Sequence, residues 1–370
     1  MDPVPVERWV RGQESLEMLY PVSKSLPMLG LGRSVGTPKE GITAQVLVVD
    51  SFQELELVKS QVAGKIVLFN SVWNNSYGNT VQYRTNGATV AAKYGAVAAL
   101  VCSVTPFSLQ SPHTGLTVYQ SGYEIPAASI TVEDSAWMRR LQDLGTFLQV
   151  KLTMGASMAG TVTSYNILGE IQGSAYPDEY IIMGGHIDSW DVGQGAQDDA
   201  GGVFAAWEAI RLIKASGLVP KRTLRVVGWT DEEQKQSGAN QYPITRASEI
   251  PKTILAMESD TGTFKPVTLL YAGTDKGFEG AHNIAKYYLT KYLGVDVLRS
   301  TRADTDIMPL LRLGVPCMSL RNEWTNTRYF IYHHTHADTI EHIDFDEFNL
   351  NVATFATVAW LASELEWPLK

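Results

Sequence analysis

Four runs in the second half of the chain, EYIIMGG (179–185), TLRVVGW (223–229), TILAMES (253–259) and CMSL (317–320), are dominated by apolar residues over the length of a strand. They lack the strict polar–apolar alternation of a sheet with one wet face. A strand apolar on both sides has to be covered on both sides, which is the environment of a parallel sheet. Helical spacing at 200–215, 277–293 and 346–366 supplies the covering layers. The pattern predicts an α/β fold, a mostly parallel sheet sandwiched by helices.

The first half repeats the alternation on a smaller scale. AQVLVV, GKIVLF, GAVAALVCSV and AASITV read as strands, and TNGATVAAKYG and EDSAWMRRLQDLG read as helices closed by a glycine. The polar stretch KLTMGASMAGTVTSYN (151–166) reads as a crossover between domains, and LGLGRSVGTP (29–38) as a glycine-rich surface turn without the strand-to-helix context of a dinucleotide loop. The expected division is 1–40 as an N-terminal part of the main domain, 41–158 as a separate unit with a binding, lid or packing role, and 159–370 as the domain that carries chemistry.

Composition removes several function classes. A net charge of −9, with no Lys/Arg-rich run, argues against nucleic-acid binding. No stretch reaches the ~18 apolar residues of a membrane span, and MDPVPVERWVRG has neither the basic flank nor the apolar centre of a signal peptide. The two cysteines, Cys102 and Cys317, are too few for a disulfide framework or a thiolate cage, and read as unpaired buried thiols. A metal site in this chain has to use imidazole and carboxylate.

Such groups stand just past the carboxyl ends of the strands, the edge at which open α/β sheets bind ligands. His186 and Asp188 follow EYIIMGG, Asp198 and Asp199 precede a helix, Glu232 and Glu233 follow TLRVVGWT, and Asp260 closes TILAMES. A distant segment, YHHTHADT, adds His333, His334, His336 and Asp338. Singly, each has a plain explanation: an acidic helix N-cap, a solvated loop end, a surface histidine cluster. Together they bring nitrogen and oxygen donors from four segments to one rim, a donor set suited to Zn²⁺. One catalytic zinc needs three protein ligands. At least five here, with a further carboxylate beside them, match two metals ~3.5–4 Å apart that hold a hydroxide between them.

The motifs GHIDSWDVGQGAQDDAGG, WTDEEQ, MESDTGTF and HHTHADT resemble the co-catalytic zinc peptidase family of bacterial aminopeptidases and glutamate carboxypeptidase, over the whole chain. GKIVLFN and KYGAVAALVCS resemble the protease-associated domain inserted in that family. The resemblance implies a di-zinc exopeptidase acting on dipeptides or short peptides with free termini. It makes His186 and Asp260 ligands of one zinc, Glu233 and His334 ligands of the other, Asp198 the bridge and Glu232 the general base. His334 is chosen because the family's ligand stands four residues before the acidic member of its closing DT pair, here Asp338-Thr339. His333 and His336 are then second-line candidates for substrate contact. Asp188, two residues from His186 and on the same side of an extended segment, is expected to accept the imidazole's second N–H and fix its tautomer. Asp199 falls where the family has a cis peptide bond.

A homodimer, and a secreted or lysosomal location, are implied by the same resemblance. The sequon Asn74-Asn75-Ser76 is compatible with the secretory route. The family's chains normally begin earlier than this one. Lys235-Gln236 stand where the family tends to have glycines, and Asp304 replaces a small residue near the pocket. Two other readings share the architecture: a metal-free receptor-like interaction protein and a single-zinc glutaminyl cyclase. Metal content separates the three.

Overall fold

All four apolar runs of the second half are strands of one sheet. The computed structural model describes residues 1–74, 76–323 and 328–365, which divide into two units. The last position of the expected helix 346–366 and the central Asn75 of the sequon lie outside the described residues.

The first unit comprises Met1–Val6, Thr163–Thr325 and Ala337–Lys370. Its sheet is built from β1 (Asp2–Val10), β2 (Ser157–Ile171), β3 (Tyr176–His186), β4 (Arg222–Trp229), β5 (Thr253–Ser259), β6 (Pro266–Ala272), β7 (Asp296–Arg299) and β8 (Cys317–Asn322). The strand order is β1-β2-β4-β3-β5-β8-β6-β7. The central strands β4, β3, β5 and β8 are mutually parallel. The margins are not, since β2 runs antiparallel to β4 and β6 antiparallel to β8. The expected parallel sheet is therefore the centre of a mixed one.

Neighbouring residues of the central strands point to opposite faces, and both faces are dry. Ile181, Met183, Leu224, Val226, Leu255 and Met257 pack under α1 (Gly201–Ala215) and α2 (Phe345–Glu364), against Ala205, Ala209, Val352 and Phe355. Ile182, Val227, Ala256 and Cys317 face the other way, against Tyr242, Ile307 and Leu310. This double burial is the reason the runs are apolar without alternation. The helical spacing at 277–293 is realised as Asp275–Ile284, a π-turn at Ala285–Leu289 and a last turn at Thr290–Leu293. From β3 the chain passes through α1 to β4 on one side, while β5 pairs on the other. Such a reversal opens a crevice at the carboxyl end of the strand, here at His186.

The second unit comprises Glu7–Val162 and Asn326–His336. Its sheet runs in the order Lys24–Leu26, Glu14–Tyr20, Gln149–Met154, Ile42–Val49, Ile66–Phe69, Ala98–Cys102, Ala127–Ile130 and Met28–Gly30. Residues 7–40 thus contribute three strands here. The glycine-rich stretch is no surface turn: Leu29, Leu31 and Ser34 are buried, and Met28–Gly30 pairs with Ala127–Ile130. A Cβ on Gly30 would stand 2.6 Å from Glu14 Oε2, the carboxylate that accepts the Gly30 N–H, so a side chain there would displace that contact. The helices Tyr77–Ala92 and Val132–Asp143 begin at Ser76 and Thr131, whose hydroxyls accept N–H bonds from Asn79 and Asp134. Both cysteines are free and buried. Among the described residues no helix is long and apolar enough to cross a membrane.

Candidate metal centre

His186 is the last residue of β3, so its ring stands at the mouth of the crevice. Its Nδ1 lies 2.8 Å from the backbone carbonyl of Asp188. A carbonyl only accepts, so Nδ1 carries the hydrogen and Nε2 of the neutral ring presents a lone pair. That lone pair faces Asp198 Oδ1 at 3.2 Å and Asp260 Oδ1 at 3.5 Å. A lone pair among carboxylate oxygens needs either a proton or a cation between them. Ligand atoms of His186, Asp198 and Glu233 lie within 4.8 Å of one another, as do those of His186, Asp199 and Asp260. One imidazole and several carboxylates at this spacing fit Zn²⁺.

The first unit therefore brings together His186, Asp198, Glu233 and Asp260. Asp188 accepts the second imidazole N–H with its main chain, and its side chain does something else. The hydrogen bond at His186 Nδ1 goes to its backbone oxygen, and its carboxylate stands 3.9 Å from that nitrogen. The carboxylate instead accepts the N–H groups of Glu232 (3.1 Å) and Glu233 (3.3 Å). The chain leaves the sheet at His186, so the two-residue repeat of a strand does not extend to Asp188. Its carboxylate fixes the short helix Glu232–Lys235, which is bounded by left-handed Asp231 (φ 63°) and Gln236 (φ 55°).

Asp199 explains the glycines around it. Its carboxylate accepts the N–H of His186 at 3.2 Å and of Gly202 at 3.1 Å. A Cβ on Gly185 would stand 1.9 Å from its Oδ2, and one on Gly202 2.6 Å from its Oδ1. The Asp198–Asp199 peptide is cis.

Asp338, named with the histidines of its segment but given no role, accepts the N–H of Gln197 at 2.6 Å and of Asp198 at 3.2 Å. Two further buried carboxylates, Glu258 and Asp306, escaped the sequence reading. Buried Glu258 accepts the N–H groups of Asp306 and Ile307. Asp306 is 1% exposed, and neither of its carboxylate oxygens has a hydrogen-bond partner. The alternation Glu258, Asp260 along one strand is the signal that marks the first of these two; nothing in the sequence marks Asp306. Asp304, expected as an added charge near the pocket, is paired with Arg321.

His333, His334 and His336 belong to the second unit. His334 (φ 62°) is buried and stacks on His333 with ring centroids 3.6 Å apart. Its Nδ1 lies 3.1 Å from the Thr114 carbonyl and 3.4 Å from Arg84 Nη1. The carbonyl again places the hydrogen on Nδ1, leaving Nε2 as the ring atom able to bind a metal. His336 is exposed.

The electrostatics follow from crowding. Burial works against the His186 cation, but hydrogen bonds to Asp198 and Asp260 outweigh it and hold the imidazole well above its ordinary pKa. Burial, with the Asp260, Asp306 and Glu233 charges adding to it, pushes Glu232 well above the usual carboxylate range. Burial likewise pushes Asp260 up to about 6. A raised carboxyl beside an imidazole suits a group that accepts and returns a proton near neutrality.

Comparison with known proteins agrees with this geometry. The model of Peptidase family M28 matches residues 166–359. Carboxypeptidase Q of Homo sapiens is 45% identical over 367 residues, 99% of this chain and 77% of that protein. Carboxypeptidase Q of Rattus norvegicus is 46% identical with the same coverage. The crystal structure of a peptidase M28 precursor from Shewanella amazonensis superposes with a TM-score of 0.94 at 32% identity, covering 100% of this chain and 84% of that one. A zinc aminopeptidase from Bacillus subtilis, at 18% identity and a TM-score of 0.70 over 98% of this chain and 87% of that one, shares the fold. On these likenesses, and with a donor set that fits zinc, the chain belongs to peptidase family M28 and is a zinc metallopeptidase.

Proposed function

We propose that this chain is an exopeptidase that hydrolyses dipeptides or other short peptides with free termini, using two zinc ions per chain. In this reading His186 and Asp260 would hold one ion and Glu233 and His334 the other, with Asp198 as the ligand they would share. Zinc in such a site supplies a water acidic enough to ionise near neutral pH and polarises the scissile carbonyl. The observation that carries the reading is the lone-pair face of His186: Nδ1–H is committed to the Asp188 carbonyl, and Nε2 points at carboxylates of Asp198 and Asp260.

The protein's own groups do the remaining work. Glu232, whose pKa is raised by burial, takes the proton of the attacking water and delivers it to the leaving amine. Asp188 holds the backbone of Glu232 and Glu233 together, so that one carboxylate stays on the metal while its neighbour stays off it. Asp338 fixes the backbone on which Asp198 is presented. The segment 41–158 is read as the family's inserted protease-associated domain, and the enzyme as a secreted or lysosomal homodimer. These last assignments are supported by the resemblance alone.

The test is Glu232→Gln on zinc-loaded protein. Two zinc ions per chain and a fall in kcat of ~10²–10⁴-fold are expected. Full activity with zinc retained refutes the base. One zinc per chain favours the cyclase-like reading, and none favours an interaction protein.

A further inference from the structure

The acidic rim carries one guanidinium whose place is set by strand register. In the parallel pair β5–β8, Glu258 lies opposite Ser319 and Ser259 opposite Leu320. One residue further on, Arg321 is still within β8 and returns to the face that carries Ser319, while Asp260 follows the end of β5; the charges of Asp260 and Glu258 both act on the Arg321 guanidinium. The segment 304–307 crosses this face: the Asp304 N–H donates to Ser319 Oγ at 2.8 Å, and the Asp306 N–H to Glu258. Asp304 thereby meets Arg321 end-on. Nη1 donates to Asp304 Oδ2 at 2.7 Å and to the Leu320 carbonyl at 2.9 Å, and Nη2 donates to Asp304 Oδ1.

This pair is not sealed. The Arg321 side chain is 28% exposed while that of Asp304 is 11% exposed, so the arginine is the more open member of the pair. Among the described residues no acceptor bonds its Nε. Among the described residues the charge therefore has a donor edge left over, in the field of Asp260, a proposed zinc ligand. An arginine held on one side by a carboxylate is pre-organised to take a second carboxylate on the other, because the fork is already oriented.

We propose that Arg321, held in place by Asp304, is a specificity-determining residue that anchors a carboxylate of the substrate next to the scissile bond. This rests on the peptidase reading above and deepens it. The carboxylate is either the peptide's free C-terminus or an acidic side chain. Arg321 touches the substrate; Asp304 positions Arg321.

The experiment compares kcat/KM of zinc-loaded wild type and a D304N/R321Q double variant on two peptide pairs that differ by one charge. Ala-Ala against Ala-Ala-amide reads the terminus, and Glu-Ala against Gln-Ala reads the side chain. The readout is the ratio within each pair, so a general loss of turnover cancels. Wild type is expected to prefer the carboxylate at least tenfold in one pair, and that pair identifies the source. In the double variant the ratio falls to within threefold of unity. The same peptides titrated calorimetrically into Glu232→Gln protein, with and without the double substitution, show the same change in Kd ratio independently of turnover. A failure of Glu232 as base leaves this binding ratio intact. Equal treatment of both members of both pairs by wild type overturns the proposal, as does a folded double variant that keeps the preference. If the double variant does not fold, R321K carries the test: one ammonium cannot serve Asp304 and a second carboxylate as a fork, so the ratio drops at least threefold. An unchanged ratio in R321K overturns the proposal.

Discussion

Asp338 reaches over 140 residues of sequence to accept the backbone N–H of Asp198 at 3.2 Å, having also taken that of Gln197 at 2.6 Å. The first contact orients the residue that faces His186. An outer carboxylate of this kind acts through the ligand it positions, and the loss of such a partner typically costs ~10–100-fold in metal affinity. Asp338→Asn keeps the shape and one acceptor but surrenders the charge and one of the two bonds. The expected result is zinc affinity at least tenfold weaker, measured by competition with a chelator, with a smaller change in the stability of metal-free protein. Unchanged zinc affinity would show that Asp338 serves only the loop.

Gly185 offers a sharper test, because it separates packing from chemistry. A methyl group at this position would stand 1.9 Å from Asp199 Oδ2 and 3.2 Å from the Ser259 carbonyl. The carboxylate it strikes is tied to two backbone N–H groups and cannot swing away without leaving both unpaired. Gly185→Ala is expected to cost more than ~3 kcal/mol, in the range of breaking a buried polar network. Gly78→Ala is the control: it lies in a helix with nothing within 4 Å of its virtual Cβ, and should be neutral or stabilising by a few tenths of a kcal/mol to ~1 kcal/mol. Urea unfolding of both variants measures the contrast.

The comparison of these two glycines shows what was legible in the sequence. That GGH and DDAGG belong to one site follows from their position after a strand and before a helix, and the four central strands follow from apolar runs that need cover on both faces. Partner choice was not legible. Whether His186 bonds to the carbonyl or the carboxylate of Asp188 depends on where the strand ends, and Asp338 is paired with Asp198 only through the path of the folded backbone. The burial of Leu29 and Leu31 was hidden by the glycine-rich stretch around them, which reads as a turn although Gly30 packs closely against Glu14 and Met154. The antiparallel margins of the sheet were missed because β2 is mostly exposed and carries no continuous apolar run.

Gln236 stands where glycine was expected, and its φ of 55° places it in the left-handed region. For a residue with a Cβ that conformation costs ~1–2 kcal/mol. Its side chain is exposed and makes no hydrogen bond among the described residues, whereas left-handed Asp231 is compensated by a bond from the Ser237 hydroxyl. Gln236→Gly therefore relieves strain without losing a contact. Part of the gain is offset by the greater freedom of glycine in the unfolded chain. A net stabilisation of ~0.5–1 kcal/mol is expected, read as a small rise in the thermal midpoint of metal-free protein. Destabilisation would mean that the side chain holds the turn after Glu232–Lys235.

Far from the crevice, Asp2 and Arg246 form a two-pronged ion pair, with Nε donating to Oδ2 at 2.9 Å and Nη2 to Oδ1 at 2.7 Å. The Arg246 hydrogen bond, opposed by burial and helped by the Arg246 charge, holds the Asp2 carboxyl below its ordinary pKa. A carboxyl whose pKa is lower folded than unfolded binds fewer protons in the native state. Its contribution is thus complete above the unfolded value of ~3.9 and is lost as pH falls through the lowered folded value. Asp2→Asn removes the charge but keeps the shape, and a hydrogen bond to a charged partner is worth ~1.5–3 kcal/mol. The variant should be less stable than wild type by ~1–2 kcal/mol at pH 7, after allowance for the bond that the amide oxygen retains. The gap should begin to narrow as the pH drops below ~4 and close only below the lowered folded value, where wild type is neutral at this position as well. Denaturant unfolding of both proteins at a series of pH values measures this gap. A difference that persists undiminished at the acid end would assign the stabilisation to packing around Asp2, with the ion pair contributing little.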